Sequence, residues 1–573
     1  MQKATKQKLI IYQAFPRILT NMNEKCVPSG TYLENGAGKL NDITPRLLKS
    51  LKKMGVNCVW LTGVIEMATK TEFADGRIPA DNPNVVKGEA GSPYAIKDYY
   101  DVSPQIATDI DRRMEEFEDL VSRIHLQNLK LIIDFVPNHT ARVYHSDSAP
   151  SGVEDFGASD DYSKFFARDN NYYYITNQQF APSFNISQPG TEPYVEFPAK
   201  ATGNDCYTAF CSRNDWYETV KLNYGYDPGD HSTHYNPVPD TWLKMLSVLR
   251  FWASKGIDGF RCDMVFMVPQ EFWHWAIPLV KADYPHIIFI GEIYDVNLYR
   301  PFLDYCHFDY LYDKVNLYDT LKGIERDNMS AAQLSSCWQR VDGMGDEMLN
   351  FLENHDEVRF ASREFANDPA KVVPYLVTSA MISRGPFLIY YGQELGEMAH
   401  DNEGFAGDNN RSTIFDYWSY DTLRRWYNRG LCNTTALTSH EKWLRNVYSR
   451  ILNLCNSDEA VREGEFFDLM YVNLRNPGFN PHRQFAFLRY TDSRILLFVV
   501  NFDSRQVDVS VVIPDLAFSM ADIAEGEIDD KDLIWRQDHK LSVERDKATA
   551  VTVGAYDALI IPLQKNKPKT SAK

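Results

Sequence analysis

Short apolar runs alternate with amphipathic stretches over much of the chain. Leu9 to Phe15 reads as a first strand, followed by a loop at Gly36 to Asp42. Ile43 to Met54 has helical spacing, with Leu47, Leu48, Leu51 and Met54 on one face and Gly55 as its stop. Val56 to Val64 is a second buried strand, Met114 to Leu126 a helix, and Leu129 to Val136 a third strand running into Pro137-Asn138-His139. The rhythm then stops. Residues 140–237 are rich in Asp, Asn, Tyr, Ser and Pro, too long for a plain loop, and read as a small domain inserted after the third strand. Alternation resumes with a helix at Thr241 to Ser254 and a strand ending at Asp263. Further strands are read at His286 to Ile293, Phe308 to Tyr312, Met348 to Glu353 and Phe387 to Tyr391, and a closing helix at Lys442 to Cys455.

This pattern predicts an α/β fold, a (β/α)8 barrel of the TIM type formed by residues 1–139 and 238–460. Beyond it, Phe485 to Tyr490, Arg494 to Phe502, Val507 to Ile513 and Ala548 to Pro562 read as strands joined by polar turns. They predict a C-terminal antiparallel β-sandwich over residues 461–566, with 567–573 a disordered tail.

Composition narrows the partners. A formal net charge of −18 argues against a nucleic-acid backbone or an anionic membrane surface. No apolar stretch is long enough to span a bilayer. The nine cysteines are scattered singly, without the close pairs of a zinc site, which suggests reduced thiols and a cytoplasmic location; a Cys206–Cys211 bridge would suit an exported protein. The start of the chain does not read as a signal peptide, and the location becomes periplasmic or secreted if an export signal was removed. Aromatic residues make up 13% of the chain, enough to leave flat apolar platforms that suit a sugar face.

Charge gathers where the predicted strands end, the active face of such barrels. The third strand ends Asp134-Phe135-Val136-Pro137-Asn138-His139; the fourth carries Arg261 and Asp263; the fifth ends in Glu292; the seventh runs Glu353-Asn354-His355-Asp356. Arg261 and Asp263 are two apart and leave one strand on the same face, as either a structural ion pair or a nucleophile held ionised. Three shielded carboxylates, Asp263, Glu292 and Asp356, at successive strand ends are costly unless they have a task. Several acids beside Arg, His and aromatic residues match glycoside hydrolysis, which needs one carboxylate at the sugar carbon and a protonated one at the leaving oxygen.

The stretches Asp134–His139, Gly259–Met267, Gly291–Ile293 and Phe351–Asp356 resemble, in order, the four signature regions of the α-amylase family of glycoside hydrolases. The resemblance runs from about Leu9 to Pro562. It implies that Asp263 is the nucleophile, Glu292 the general acid and then base, and Asp356 the stabiliser of the transition state. Arg261 would align Asp263, and His139 and His355 would bond to the sugar beside the cut. Tyr94 resembles the family's stacking tyrosine, and Asp98 in the same stretch is a further candidate for substrate binding. Asp408 and Arg411 are similar to a substrate-binding pair of some members, or else form a solvated loop pair. Arg359 is either a binder or a structural partner.

Two departures matter. Lys-His often follows the family's nucleophile region, and here Phe266 and Met267 stand there, so the leaving side is apolar. Many members hold a structural calcium with Asn138 and an Asp; the matching stretch, Thr219 to Asn223, has Lys221 at that Asp. A Lys ammonium repels a cation and offers no lone pair, so no calcium is expected at this place, no other cofactor is required, and Lys221 is expected to take the ion's electrostatic role. The implied substrate is an α-glucan or malto-oligosaccharide cut at α-1,4 links with retention. The alternatives are a 4-α-glucanotransferase or other transglycosylase on the same acids, an α-1,6- or disaccharide-acting relative, and a non-catalytic carbohydrate-binding or scaffold homologue.

Overall fold

Eight of the apolar runs pair in parallel and close on themselves. The computed structural model describes residues 8–74 and 77–566. Among them the barrel strands are β1 (Ile10–Ala14), β2 (Cys58–Leu61), β3 (Lys130–Phe135), β4 (Gly259–Cys262), β5 (Ile288–Gly291), β6 (Tyr310–Tyr312), β7 (Met348–Phe351) and β8 (Phe387–Tyr390). Each pairs with its neighbours in sequence, and β8 closes on β1 through Ile10 opposite Phe387. Register sets the chemistry: Arg261 on β4 lies opposite Asp134 on β3 and Ile290 on β5. The charged ends of adjacent strands are thereby brought to one face.

The helices form where the sequence caps them. Helix α1 (Pro45–Met54) starts with Pro45 in its first turn, and the Thr44 side chain accepts the Leu47 N–H. It ends at Gly55, whose φ of 115° no side chain favours. A Cβ at Gly55 would also stand 2.8 Å from Leu452 Cβ, so the glycine lets α1 approach the closing helix α2 (Ser439–Ser457). Helix α2 begins with a capping box of Thr438 and Glu441. Beneath both helices, Ile10, Ile11, Val59, Leu131, Ile133, Phe260 and Leu388 are buried in the barrel.

Two long segments cover the active face. Between β2 and β3 lies a hairpin, Ile65–Met67 against Ile96–Val102, which carries Asp98. After β3 the irregular segment forms short ribbons, His139–Ala141 with Thr219–Lys221, Tyr174–Ile175 with Ala199–Lys200, and Tyr226–Asp227 with Ser232–Thr233. It has a core of its own around Ile175, Phe180, Ala209, Cys211 and Tyr217.

The C-terminal region holds a four-stranded antiparallel sheet of Glu465–Asp468, Gln484–Tyr490, Ile495–Asn501 and Asp557–Leu563. Two ribbons join it, Val507–Val512 with Ala548–Val553 and Gly526–Lys531 with Asp538–Val543. The run read as one strand from Ala548 to Pro562 is two, in different sheets, because the chain turns over at Gly554 to Tyr556. The ribbon at Gly526–Lys531 was not legible because it buries only Ile528. The tail read at 567–573 lies outside the described residues. All nine cysteines are unpaired, Cys206 and Cys211 included. Among the described residues no helix is long and apolar enough to cross a membrane.

Candidate active site

Strand β4 ends in a sharp turn that aims its acids. Met264 sits at φ 45°, ψ 46°, a left-handed conformation rare for a side chain of its size. This turns its backbone N–H onto Glu292 Oε2 at 2.9 Å, so β4 and β5 are tied together where both acids stand.

Arg261 organises the centre. Its Nη1 donates to Asp263 Oδ1 at 2.8 Å and lies 3.3 Å from Asp134 Oδ1. Nη2 is 2.8 Å from Glu292 Oε1, as an ion pair without hydrogen-bond alignment. Nε donates to the Tyr312 hydroxyl at 3.2 Å. The guanidinium is fully buried and lies 5.4–5.5 Å from the ring centroids of Trp60, Tyr94 and Tyr312. One fork therefore holds the carboxyls of Asp263 and Glu292 together. Burial pushes the Asp263 carboxyl well above its usual range; the Glu292 charge adds to this, and Arg261 opposes it.

Asp356 faces them from the end of β7. Asn354 Oδ1 accepts the N–H groups of Asp356 and Glu357 at 2.8 and 3.0 Å, which fixes the turn. His355 Nε2 lies 2.9 Å from Asp356 Oδ2 and 2.5 Å from the Tyr94 hydroxyl, with the Tyr94 ring stacked on the imidazole. Burial raises the Asp356 pKa, but His355, Arg261 and Arg411 outweigh it and hold the group at about 2. The Tyr294 hydroxyl donates to Glu292 Oε1 at 2.5 Å. His139 is pushed down to about 3 by burial and by the Lys221 and Lys87 charges, so it is neutral near pH 7.

These groups line a cavity of about 300 Å³ containing Asp263, Glu292, Asp356, Tyr94, His139 and Tyr294. Its remaining walls are Lys87, Ser92, Trp216, Glu218, Thr219, Met264, Ile414 and Phe415. Lys87, Trp216, Glu218 and Phe415 gave no sign in the sequence, since they come from irregular segments with no periodicity to read.

Other candidates lie elsewhere. Asp98 is buried in the hairpin, its oxygens accepting the N–H groups of Tyr100 and Asp147 at 2.7 and 3.1 Å; it is not in the cavity wall. Arg359 is also fully buried. It pairs with Glu353 at 2.8 Å and donates to Ser412 Oγ and the Tyr391 carbonyl, which makes it a structural partner. Asp408 pairs with Arg363 at 3.0 Å rather than with Arg411, and Arg411 instead contributes to the field at Asp356.

The oxygens around Asn138 already hold a cation. Lys221 is buried, and its ammonium donates to Asn138 Oδ1 and, at 3.0 Å, to the Met267 carbonyl, while lying 2.7 Å from Asp205 Oδ1. Three segments converge on it: the end of β3, the inserted segment, and the turn after Asp263. This donor set does not suit a calcium ion, because the ammonium repels it and occupies the lone pairs it would need.

A sequence profile described as "Alpha amylase, catalytic domain" matches residues 13–464. An alpha-glucosidase of Apis mellifera is 25% identical over 569 residues, covering 87% of this chain and 86% of that protein. A cyclomaltodextrin glucanotransferase of Niallia circulans is 22% identical, covering 77% of this chain and 57% of that protein. Among solved structures, an alpha-amylase of Geobacillus thermoleovorans complexed with acarbose superposes with a TM-score of 0.64 at 17% identity, covering 99% of this chain and 100% of that one. A noncanonic maltogenic alpha-amylase of Thermotoga neapolitana gives 0.62 at 20% identity, with 97% and 99% covered. At these identities the structural matches speak for the fold.

Proposed function

The chain belongs to the α-amylase family, and on that premise we propose that it hydrolyses α-1,4 links of malto-oligosaccharides with retention of configuration. The observation that carries this reading is the Arg261 fork, which holds Asp263 and Glu292 side by side with Asp356 across the same cavity. Retention needs two carboxyls about 5–5.5 Å apart, close enough for one to attack while the other gives a proton.

Asp263 attacks the anomeric carbon as its bond to the glycosidic oxygen breaks, and Glu292 passes its proton to that oxygen. A glycosyl ester on Asp263 remains. Water then yields a proton to Glu292 and its hydroxyl to the anomeric carbon, releasing the carboxylate. The charge of Glu292 disfavours ionisation of Asp263, and the Arg261 guanidinium favours it. Asp356 stabilises positive charge at the ring, neutral His139 meets its hydroxyls and Tyr94 its face, while His355, fully buried behind Tyr94, holds Tyr94 and Asp356 in place.

Transglycosylation is the second reading. The side chain of Phe266 is 36% exposed and its ring stands 6.2 Å from that of Tyr294, the hydroxyl partner of Glu292. A flat apolar surface beside the acid suits an acceptor sugar as well as a leaving one. We also propose that Lys221 serves where relatives use a calcium ion, and that no cofactor is needed. Nine unpaired thiols support a reducing compartment, the cytoplasm.

The test is a product time course on maltoheptaose with wild type and Asp263→Asn. Shorter oligosaccharides from the wild type alone mean hydrolysis; products longer than the substrate mean transfer. An untouched substrate overturns the α-1,4 reading, and activity unchanged in the variant overturns the assignment of Asp263.

A further inference from the structure

The cavity wall next to His139 holds an ion pair that the hydrolytic steps leave unused. Lys87 Nζ lies 2.8 Å from Glu218 Oε1, with side chains 13% and 6% exposed. Among the described residues no donor meets Glu218 Oε2, although that atom is buried. Because Oε2 has no accessible surface, the polar atoms that the pair offers the cavity are Glu218 Oε1 and the Lys87 ammonium. Both residues line the same cavity as Asp263, Glu292 and Asp356.

The pair joins two walls that are themselves held in place. Lys87 leads into Gly88, where a Cβ would stand 2.2 Å from the Phe415 carbonyl oxygen, so the backbone is pressed on that segment. Ala90 N–H donates to the same carbonyl at 2.9 Å. Glu218 enters the ribbon Thr219–Lys221, whose partner strand begins at His139. Trp216 fills the corner, its ring 5.3 Å from that of His139. The Lys87 ammonium sits 5.2 Å from the Tyr217 ring centroid. These contacts fix the pair against rotation, which is what a hydroxyl-reading site requires.

Glu292 and its Tyr294 partner mark the leaving side, because the acid protonates the leaving oxygen. The ring under attack is already met by Asp263, Asp356, Tyr94 and His139. Lys87 and Glu218 stand next to His139 in the same wall. We propose that they face the chain that stays on the enzyme and form a specificity clamp for its second glucosyl ring: Glu218 Oε1 accepts from one hydroxyl and the Lys87 ammonium donates to another. The clamp rests on the hydrolytic reading above and adds to it a preference for donors that carry at least two rings before the cut.

The experiment compares release of 4-nitrophenol from 4-nitrophenyl α-maltoside and 4-nitrophenyl α-glucoside by wild type, Glu218→Gln, Glu218→Asp and Lys87→Met. A wild type that releases nitrophenol from neither overturns the hydrolytic reading itself. Given activity, the expected result is that the ratio of kcat/KM for maltoside over glucoside falls at least about tenfold in Glu218→Gln and Lys87→Met, mainly through KM. Glu218→Asp, which keeps the charge, recovers part of the ratio. General damage to the wall lowers both substrates alike, so a ratio equal to that of the wild type in both variants overturns the clamp, whatever happens to stability.

Discussion

The ammonium of Lys221 lies 2.7 Å from the carboxylate of Asp205, and the same ammonium bonds to Asn138 and to the carbonyl of Met267. A single positive charge thus ties the inserted segment to the end of β3 and to the turn that positions Asp263. Burial lowers the Lys221 pKa and Asp205 opposes this, so the pair is held by mutual need. We expect incubation with EDTA to leave both Tm and activity unchanged. Lys221→Met should lower Tm and kcat together, by about 1–3 kcal/mol in stability, since buried Asn138 Oδ1 loses its donor while the half-exposed Asp205 is taken up by water. Lys221→Asp should gain a Tm that rises with added calcium. A wild-type Tm that falls on chelation would refute this role.

Roles for the two forked acids separate by leaving group. Asp263→Asn should lower kcat by at least about 10³-fold on every substrate, because no ester can form. Glu292→Gln should be as damaged on maltoheptaose but far less on 4-nitrophenyl α-maltoside, whose phenolate leaves without a proton. Azide should accelerate Glu292→Gln and not Asp263→Asn, giving a glycosyl azide of retained configuration. Equal losses on both substrates in Glu292→Gln would argue against its acid role.

Stability should fall as the solution becomes alkaline. Glu66 is pushed up to about 8 by burial and by Asp98, its cross-strand partner, against Arg113 and Lys97. Glu403 reaches about 8 through burial, opposed by the Tyr420 hydroxyl and the Thr413 N–H. Both folded-state values lie above that of an unfolded glutamate, so the native state binds more protons across the interval between them. Stability then decreases with rising pH from about 4.5 to 8. Asp356, held at about 2, acts in the opposite sense but only in strong acid. Calorimetry should show a lower Tm at pH 8.5 than at pH 6, with a smaller difference in Glu66→Gln and in Glu403→Gln. A difference unchanged in both variants would show that other groups set the slope.

The acids were legible because they follow apolar runs that pair into adjacent strands. Asp263, Glu292 and Asp356 inherit one face from the register of β4, β5 and β7. Strand β6 was the hardest to see because it is three residues long, Tyr310–Tyr312. Asp98 lies in its own hairpin and Arg359, read as either a binder or a structural partner, meets Glu353; a sequence does not show which way a carboxylate faces or which partner a guanidinium finds. Lys87 and Glu218 were illegible for a related reason. They are 131 residues apart in segments without periodicity, and tertiary folding alone puts them 2.8 Å apart.

The junction between barrel and C-terminal sheet rests on one buried cation. Arg489 is 1% exposed and, among the described residues, faces no carboxylate at hydrogen-bond range; it donates to the carbonyls of Ile382, Val461 and Gly464 at 3.0, 3.1 and 2.7 Å. These acceptors are the end of the helix before β8 and the turn that leaves the barrel, so the guanidinium closes backbone groups that no secondary structure satisfies. Burial lowers its pKa to about 10, which leaves it charged at pH 7. Arg489→Met removes the donors and keeps the bulk. We expect it to cost about 3 kcal/mol or more, as several buried carbonyls lose their partners, and to lower the Tm of the whole chain. In urea the loss should appear as a lower midpoint at constant slope if the two units unfold together. Activity at 25 °C should persist, because Arg489 is not in the wall of the catalytic cavity. A midpoint equal to that of the wild type would mean that water satisfies the carbonyls and that the cation is dispensable.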